Sequence, residues 1–245
     1  NYIISQVDIA LDKSGNPRVV WTKYNKDGTE GDIFYQAHGS EGWDVPTWVD
    51  EDANRVDSKP AIAWGGGYTH IVWEASGGNL RYRRREDASG MWDDVYSIIE
   101  NSPQYPPGNS DIAVGPAGVF VVWDWCVSSG ECSEYSVIYS RTGITGDLEF
   151  RDWDNREVGT DETGHWRTYY SSDDVSALPG EYLLGLRPSI ALNKDGWPAV
   201  VWHADVSGGD LTDYVVYYSY AITVTDLGIS WTLPIHFRRG QPYPL

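Results

Sequence analysis

The chain is poor in basic residues, methionine, cysteine and phenylalanine. Over 245 residues, 18 Lys and Arg stand against 36 Asp and Glu, a formal net charge of −18. Nucleic acid and anionic membrane surfaces are both recognised through a basic patch, so neither is an expected partner. No stretch approaches the ~18 consecutive apolar residues of a spanning helix, so membrane insertion by such a helix is not expected. No window carries a 3.6-residue apolar period, so little helix is expected. A Gly-x-Ser-x-Gly elbow, a Walker loop, a dinucleotide fingerprint and a His-Glu-x-x-His motif are all missing. The five histidines, 38, 70, 165, 203 and 236, show no ligand spacing, and no metal is expected on them. The chain opens on Asn1-Tyr2-Ile3-Ile4, without an initiator Met or a basic-then-apolar leader. It is read as a processed or excised piece whose neighbouring segments lie outside it.

The two cysteines, Cys126 and Cys132, are six residues apart. Zinc wants four ligands, and no second pair accompanies them. A disulfide closing a short loop is the preferred reading, with two free thiols as the alternative. With abundant Trp and Tyr and little Lys, a disulfide fits an oxidising location, secreted or at the cell surface.

What the chain does have is aromatic side chains and a repeat. Thirteen Trp and 17 Tyr stand beside only 4 Phe, and the 41% of apolar residues is enough for a packed core. Four segments share one phrase: Asp8-Ile9-Ala10-Leu11 to Trp21, Ala61-Ile62-Ala63-Trp64 to Trp73, Asp111-Ile112-Ala113-Val114 to Trp123, and Ser189-Ile190-Ala191-Leu192 to Trp202. A Gly-containing turn splits each, and the Ile-to-Trp distance is 12, 11, 11 and 12 residues. The Trp-to-Trp distances of 52, 50 and 79 place an insertion of about thirty residues between the third and fourth units. A third β-like run follows in each unit (Ile33–Tyr35, Leu80–Tyr82, Val137–Tyr139, Val215–Tyr218), then a fourth (Trp43–Val49, Trp92–Ile98, Leu148–Trp153, Ser230–Phe237). Short Val/Ile/Tyr/Trp runs bounded by Gly, Asp, Asn and Ser read as antiparallel strands and hairpins.

Four short strands per unit of roughly 50 residues is the arithmetic of a β-propeller blade. The expected fold is therefore all-β, with four blades at about 6–50, 59–98, 110–153 and 188–237 in one domain, and an insertion at about 155–187. A Val-Val-Trp strand is apolar on both faces, so a blade needs a neighbour on each side. Four blades leave an open arc with two uncovered faces unless the ring is small, larger, or shared between chains.

The run from Pro188 to Trp202, with Val216-Tyr217-Tyr218-Ser219 and then Asp226-Leu227-Gly228-Ile229-Ser230-Trp231, resembles the repeats of sialidase-like propellers. That family often carries an Asp-box, Ser/Thr-x-Asp-x-Gly-x-Thr-Trp. Asp226, Gly228 and Trp231 fit it, Val224 replaces the hydroxyl, and Ser230 stands in for Thr. The resemblance covers most of the chain outside 155–187. It implies a propeller and, for true members, an arginine triad, a Tyr–Glu nucleophile pair and an Asp acid/base. The Phe/Tyr-Arg-Ile-Pro phrase of the first arginine is absent, and Gly185-Leu186-Arg187-Pro188 is its nearest string.

A glycosidase needs two carboxylates roughly 5–10 Å apart, and Glu181 and Tyr182, with Arg187, are the catalytic candidates. Arg81, Arg83 and Arg85 share one strand face and read as solvated. Trp21, Trp73, Trp123 and Trp202 are assigned to the core. Trp64, Trp125, Trp166 and Trp197 fall at turns or in the insertion and are the candidate ligand-binding residues, because flat aromatics cover sugar faces; loop packing is the alternative. The turns at Asp12–Asn16 and Asn193–Gly196 have calcium-like oxygen spacing but no closing acidic ligand, so structural calcium is the lesser reading there and a hairpin turn the favoured one. The function expected is a non-catalytic module that binds a glycan or a cell-surface protein, or assembles with other chains through open blade faces. The alternative is a sialidase-like exo-glycosidase with its site in the propeller funnel.

Overall fold

A computed structural model describes residues 2–50, 56–100, 103, 106–126, 135–141, 187–205, 214–225, 228–231 and 235–237. Residues 125–126, 135–141, 204–205, 214–215 and those from 223 onward are described by backbone alone. No helix occurs among the described residues, and therefore none long and apolar enough to cross a membrane.

Four antiparallel sheets follow one another along the chain. The first has the order β1 (Ile3–Leu11), β2 (Pro17–Tyr24), β3 (Gly31–Gly39) and β4 (Gly42–Trp43), with β5 (Thr47–Trp48) also paired to β3. The second is β6 (Asp57–Gly65), β7 (Tyr68–Ala75), β8 (Asn79–Glu86) and β9 (Tyr96–Ile99). The third is β10 (Pro107–Gly115), β11 (Gly118–Cys126) and β12 (Tyr135–Arg141). The fourth is β13 (Ser189–Leu192), β14 (Pro198–Asp205), β15 (Tyr214–Thr225) and β16 (Gly228–Trp231), with β17 (Ile235–Phe237) paired to β15. The strands fall where the repeat predicts them, except that Leu148–Trp153 lies outside the described residues. The chain forms two compact units, Asn1–Val114 and Gly115–Leu245.

The repeat is a repeat in space as well. Trp21 stacks on Phe34 at 5.9 Å and 18°, and Trp202 stacks on Tyr217 at 5.8 Å and 12°. Each pair sits directly across a β-ladder, in register. In the first unit, the face of the second sheet that bears Ile62, Ile71 and Trp73 packs on the face of the first that bears Val20, Ile33, Tyr35 and Ala37. Tyr68–Ala75 is buried at both parities, and β10 approaches the end of β6: a Cβ on Gly65 would meet Val114 Cγ1 at 2.3 Å. In the second unit a Cβ on the repeat-equivalent Gly115 would meet Leu192 Cδ1 at 2.4 Å. At the ends of β6 and β10, glycine thus leaves room for a side chain of the next first strand.

The hairpin turns follow the chemistry of Asx turns. Asp12 Oδ1 accepts the N–H groups of Ser14 and Asn16, both at 2.8 Å, and Asn193 Oδ1 accepts those of Asp195 (2.9 Å) and Trp197 (3.0 Å). Gly15 and Gly196 take φ of 80° and 79°. These are the bonds of the hairpin-turn reading.

One irregularity recurs. The only non-glycine residues of positive φ among those described are Gln6 (53°), Lys59 (48°), Asn109 (47°) and Arg187 (34°). All four occupy one repeat position, two residues before Asp8, Ala61, Asp111 and Ser189. The ladder slips there, between Ser5 and Asp8 in β1 and between Ser58 and Ala61 in β6. A left-handed non-glycine residue costs roughly 1–2 kcal/mol. Its retention at equivalent places means that something holds it.

Candidate functional site

The holding groups form a polar chain across the first strands of the first unit. Lys59 N–H donates to Gln6 Oε1 at 2.8 Å, and Gln6 Oε1 also accepts from Thr22 Oγ1 (3.0 Å) and Tyr24 Oη (3.2 Å). Lys59 Nζ lies 3.0 Å from Glu74 Oε1, and the same oxygen accepts the Asn109 N–H at 2.6 Å. Gln6, Lys59, Glu74 and Asn109 thereby link β1, β6, β7 and β10. The left-handed N–H groups of Lys59 and Asn109 are each taken up by a side chain of the preceding sheet. The second unit repeats the device once, with Arg187 N–H donating to Asp124 Oδ2 at 3.2 Å.

Two residues further along, the chain carries carboxylates. Asp8 Oδ2 accepts the Ile62 N–H at 2.9 Å and its Oδ1 accepts that of Ile9 at 2.8 Å; Asp111 Oδ1 accepts that of Ile112 at 2.8 Å. Burial pushes the Asp8 carboxyl above its ordinary range. The two backbone donors pull it back, and the Asp111 charge adds to the rise. Two interacting carboxylates with one raised is the electrostatic pattern of an acid/base pair, and it also suits a hydrogen-bonding surface for hydroxyl-rich ligands. Among the described residues no group of three metal-ligating side chains converges.

The sequence-selected residues fall as follows. Trp64 is half-buried, and its indole Nε1–H donates to Asp87 Oδ2 at 2.6 Å. Asp87 also lies 3.4 Å from Arg18, which pairs with Asp12 at 3.0 Å. Trp64 occupies the repeat position of Val114 and Leu192, a packing position, two residues after the repeat Ile. Trp197 is half-buried beside the Asn193 turn. Trp125 is a β11 residue described by backbone alone. Trp166, Glu181 and Tyr182 lie outside the described residues, as do Cys132 and the side chain of Cys126. Arg187 is exposed at the edge of the fourth sheet, and with burial it holds the His203 imidazole below its ordinary range, burial being the larger cause. Of the assigned core residues, Trp73, Trp123 and Trp202 are buried, whereas Trp21 is only half-buried.

The arginine strand needs correcting. Arg81 pairs with Asp50 at 3.0 Å, Arg83 donates to the Val49 and Asp93 carbonyls, and Arg84 pairs with Asp93. Arg84 is buried and the others half-buried. β8 is an inner strand of its sheet, and its guanidinium groups reach the segments just after β5 and just before β9 instead of standing free in water. What the sequence reading missed is the Gln6/Lys59/Asn109/Arg187 position. Its signal was present: four polar residues at one place, two residues before the repeated phrase begins.

No protein-family model and no curated protein matches the sequence. Solved structures do match in fold. A Dyadobacter fermentans protein of unknown function aligns at TM-score 0.56 and 10% identity, over 96% of this chain and 69% of that one. The Bacillus subtilis arabinanase aligns at TM-score 0.53 and 12% identity, over 90% and 75%. The NanB sialidase of Streptococcus pneumoniae aligns at TM-score 0.44 and 12% identity, over 80% and 27%, too little to carry an argument. The similar structures are mostly glycoside hydrolases on β-propeller folds. The fold of this chain is accordingly that of the β-propellers, all-β and built from antiparallel blades.

Proposed function

We propose that the chain is a secreted or cell-surface propeller module that binds a glycan without cleaving it. The observation that carries this reading is the polar chain of the first unit: the Gln6 amide and the Lys59 ammonium, at one repeat position whose backbone geometry costs free energy, with the carboxylates of Glu74, Asp8 and Asp111 on the same run of strands. Carboxylate and amide oxygen atoms accept from sugar hydroxyls, and Lys59 donates to them. The glycoside hydrolases among the similar folds are consistent with a glycan ligand. Trp64 and Trp197, each half-buried, offer partial ring faces, and Trp125 and Trp166 remain candidates on sequence grounds. The closer relation to the Asp-box, sialidase-like propellers rests on Asp226, Gly228 and Trp231.

One observation favours a second reading, a glycoside hydrolase. Asp8 has the raised carboxyl that a general acid requires and Asp111 the neighbouring negative charge. A glycan array followed by calorimetry on the best hit tests both. Binding that falls by about tenfold or more in Asp8→Asn and Asp111→Asn, with no release of reducing ends, is the expected result. Hydrolysis abolished by Asp8→Asn would replace the first reading with the second. Absence of both binding and turnover removes both.

A further inference from the structure

The Gln6 and Asp8 side chains answer the same strand. Gln6 Oε1 accepts the Lys59 N–H at 2.8 Å, and Asp8 Oδ2 accepts the Ile62 N–H at 2.9 Å, further along β6. Both side chains of β1 therefore lie along one seam, where the first sheet meets the second. The Gln6 amide has a fixed sense there. A backbone N–H can only donate, so the atom facing Lys59 is the oxygen, and Thr22 Oγ1 and Tyr24 Oη donate to it as well. Nε2, with its two N–H groups, is turned away from those donors, and among the described residues no group accepts from it. The charges along the seam are mostly of one sign. Lys59 Nζ is matched by Glu74 Oε1 at 3.0 Å, and Asp8 and Asp111 add further negative charge. Asp111 already helps to raise the Asp8 carboxyl, and any other anion brought to Asp8 meets the same repulsion.

We propose that this seam selects a neutral sugar and rejects carboxylated and sulfated ones, with Gln6 Nε2 as the donor to a sugar oxygen and Asp8 and Asp111 as the acceptors of sugar hydroxyls. The inference rests on the glycan-binding reading above and adds the class of sugar to it. A sugar hydroxyl both accepts and donates, so it takes an N–H from Gln6 while giving its own hydrogen to a carboxylate. A carboxylate or sulfate offers acceptors only. It satisfies Gln6, but it brings no hydrogen to Asp8 or Asp111 and sets like charge against like. Gln6 is thus the residue that fixes the sense of the ligand, and the two carboxylates are the groups that exclude an anion.

An array that carries neutral glycans beside the same glycans bearing a uronate, a sialic acid or a sulfate tests this, followed by calorimetry on the best matched pair. High salt is used, so that the net charge of −18 is screened and the seam itself decides. The neutral member is expected to bind at least about tenfold more tightly. Gln6→Glu keeps an oxygen for the Lys59, Thr22 and Tyr24 donors but removes both N–H groups and adds a charge. Its thermal melt is expected to match the wild type's, while neutral binding falls by about tenfold or more. Asp111→Asn is expected to narrow the neutral-over-acidic ratio by several fold. Preference for the acidic member overturns the proposal and leaves the glycan-binding reading standing. So does a Gln6→Glu variant that folds and binds as the wild type does, because that is the behaviour of a purely structural brace. Where Gln6→Glu melts early, Asp111→Asn decides, and an unchanged ratio overturns the proposal. Binding to no glycan at all removes the reading beneath it, and the proposal with it.

Discussion

Trp21 and Trp73 occupy the same place in two sheets that pack on each other. Trp73 is wholly buried; Trp21 is half-buried, stacked on Phe34 and open beyond it. The strands beside them differ likewise. β1 exposes Ile3, Ile4, Val7, Ile9 and Leu11, whereas β6 buries Ala61 and Ile62. The chemistry around them follows suit. At the position three before each Trp, the first sheet has Arg18, donating to the Tyr35 hydroxyl at 3.2 Å, and the second has His70, 2.5 Å from the Tyr82 hydroxyl. Tyr35 and Tyr82 are equivalent. A guanidinium is tolerable where one side is open to water, but a site closed on both sides takes a neutral ring. Elsewhere in the covered sheet a guanidinium is accepted where a carboxylate pairs with it, as Asp93 does with buried Arg84.

The largest test of that contrast is truncation of the two indoles. Trp73→Ala is expected to cost about 3–5 kcal/mol, whereas Trp21→Ala should cost less than about 2 kcal/mol, as read by urea denaturation. Equal losses would mean that the exposed face is covered in solution. Acid should separate the sheets next. His70 is fully buried, and desolvation lowers its pKa from 6.5 to about 3, with the Gly65 carbonyl opposing and the Arg84 charge assisting. The folded state then binds fewer protons than the unfolded one. Stability is full above about pH 6.5 and is lost as pH falls toward 3, by on the order of 4 kcal/mol at the bottom of that window. His70→Gln should flatten this part of the pH profile, and an unchanged profile would refute the assignment.

A smaller effect concerns the polar chain. Glu74→Ala removes the acceptor of the Asn109 N–H and the ion-pair partner of the partly exposed Lys59 ammonium, for a loss of about 1–3 kcal/mol. Thr22→Ala, at the equivalent place in the first sheet, should cost less than about 1 kcal/mol because Tyr24 still reaches Gln6. The smallest effect has the opposite sign. The Asp8 carboxyl is raised in the folded protein, so it favours folding below its ordinary value of 3.8 and loses that contribution as pH rises. Asp8→Asn keeps an acceptor for the Ile62 N–H and should stabilise the protein at neutral pH by up to about 1 kcal/mol, with the gain vanishing in acid. Stabilisation on removing a group is the usual mark of one kept for function.

Much of the fold was legible in the order of residues. The Ile-Ala phrase, the Gly turn and the recurring Trp set strand positions and ladder partners, because an apolar strand between turn residues has few other places to go. The candidate site was legible only in outline. Gln6, Lys59 and Asn109 could be lined up by the repeat, but their left-handed backbone and the Glu74 carboxylate that answers it come from different strands. Trp64 looked like a free loop aromatic for the same reason. Its partner, Asp87, lies 23 residues away.

The sequence by itself determined that this protein is a series of like antiparallel sheets, since pairing within a sheet is dictated by local alternation and turn chemistry. Only the tertiary structure decided which copy of each repeated residue is buried, charged or open. That depends on whether a neighbouring sheet stands against it, and water, not the residue's own identity, fills the place where none does.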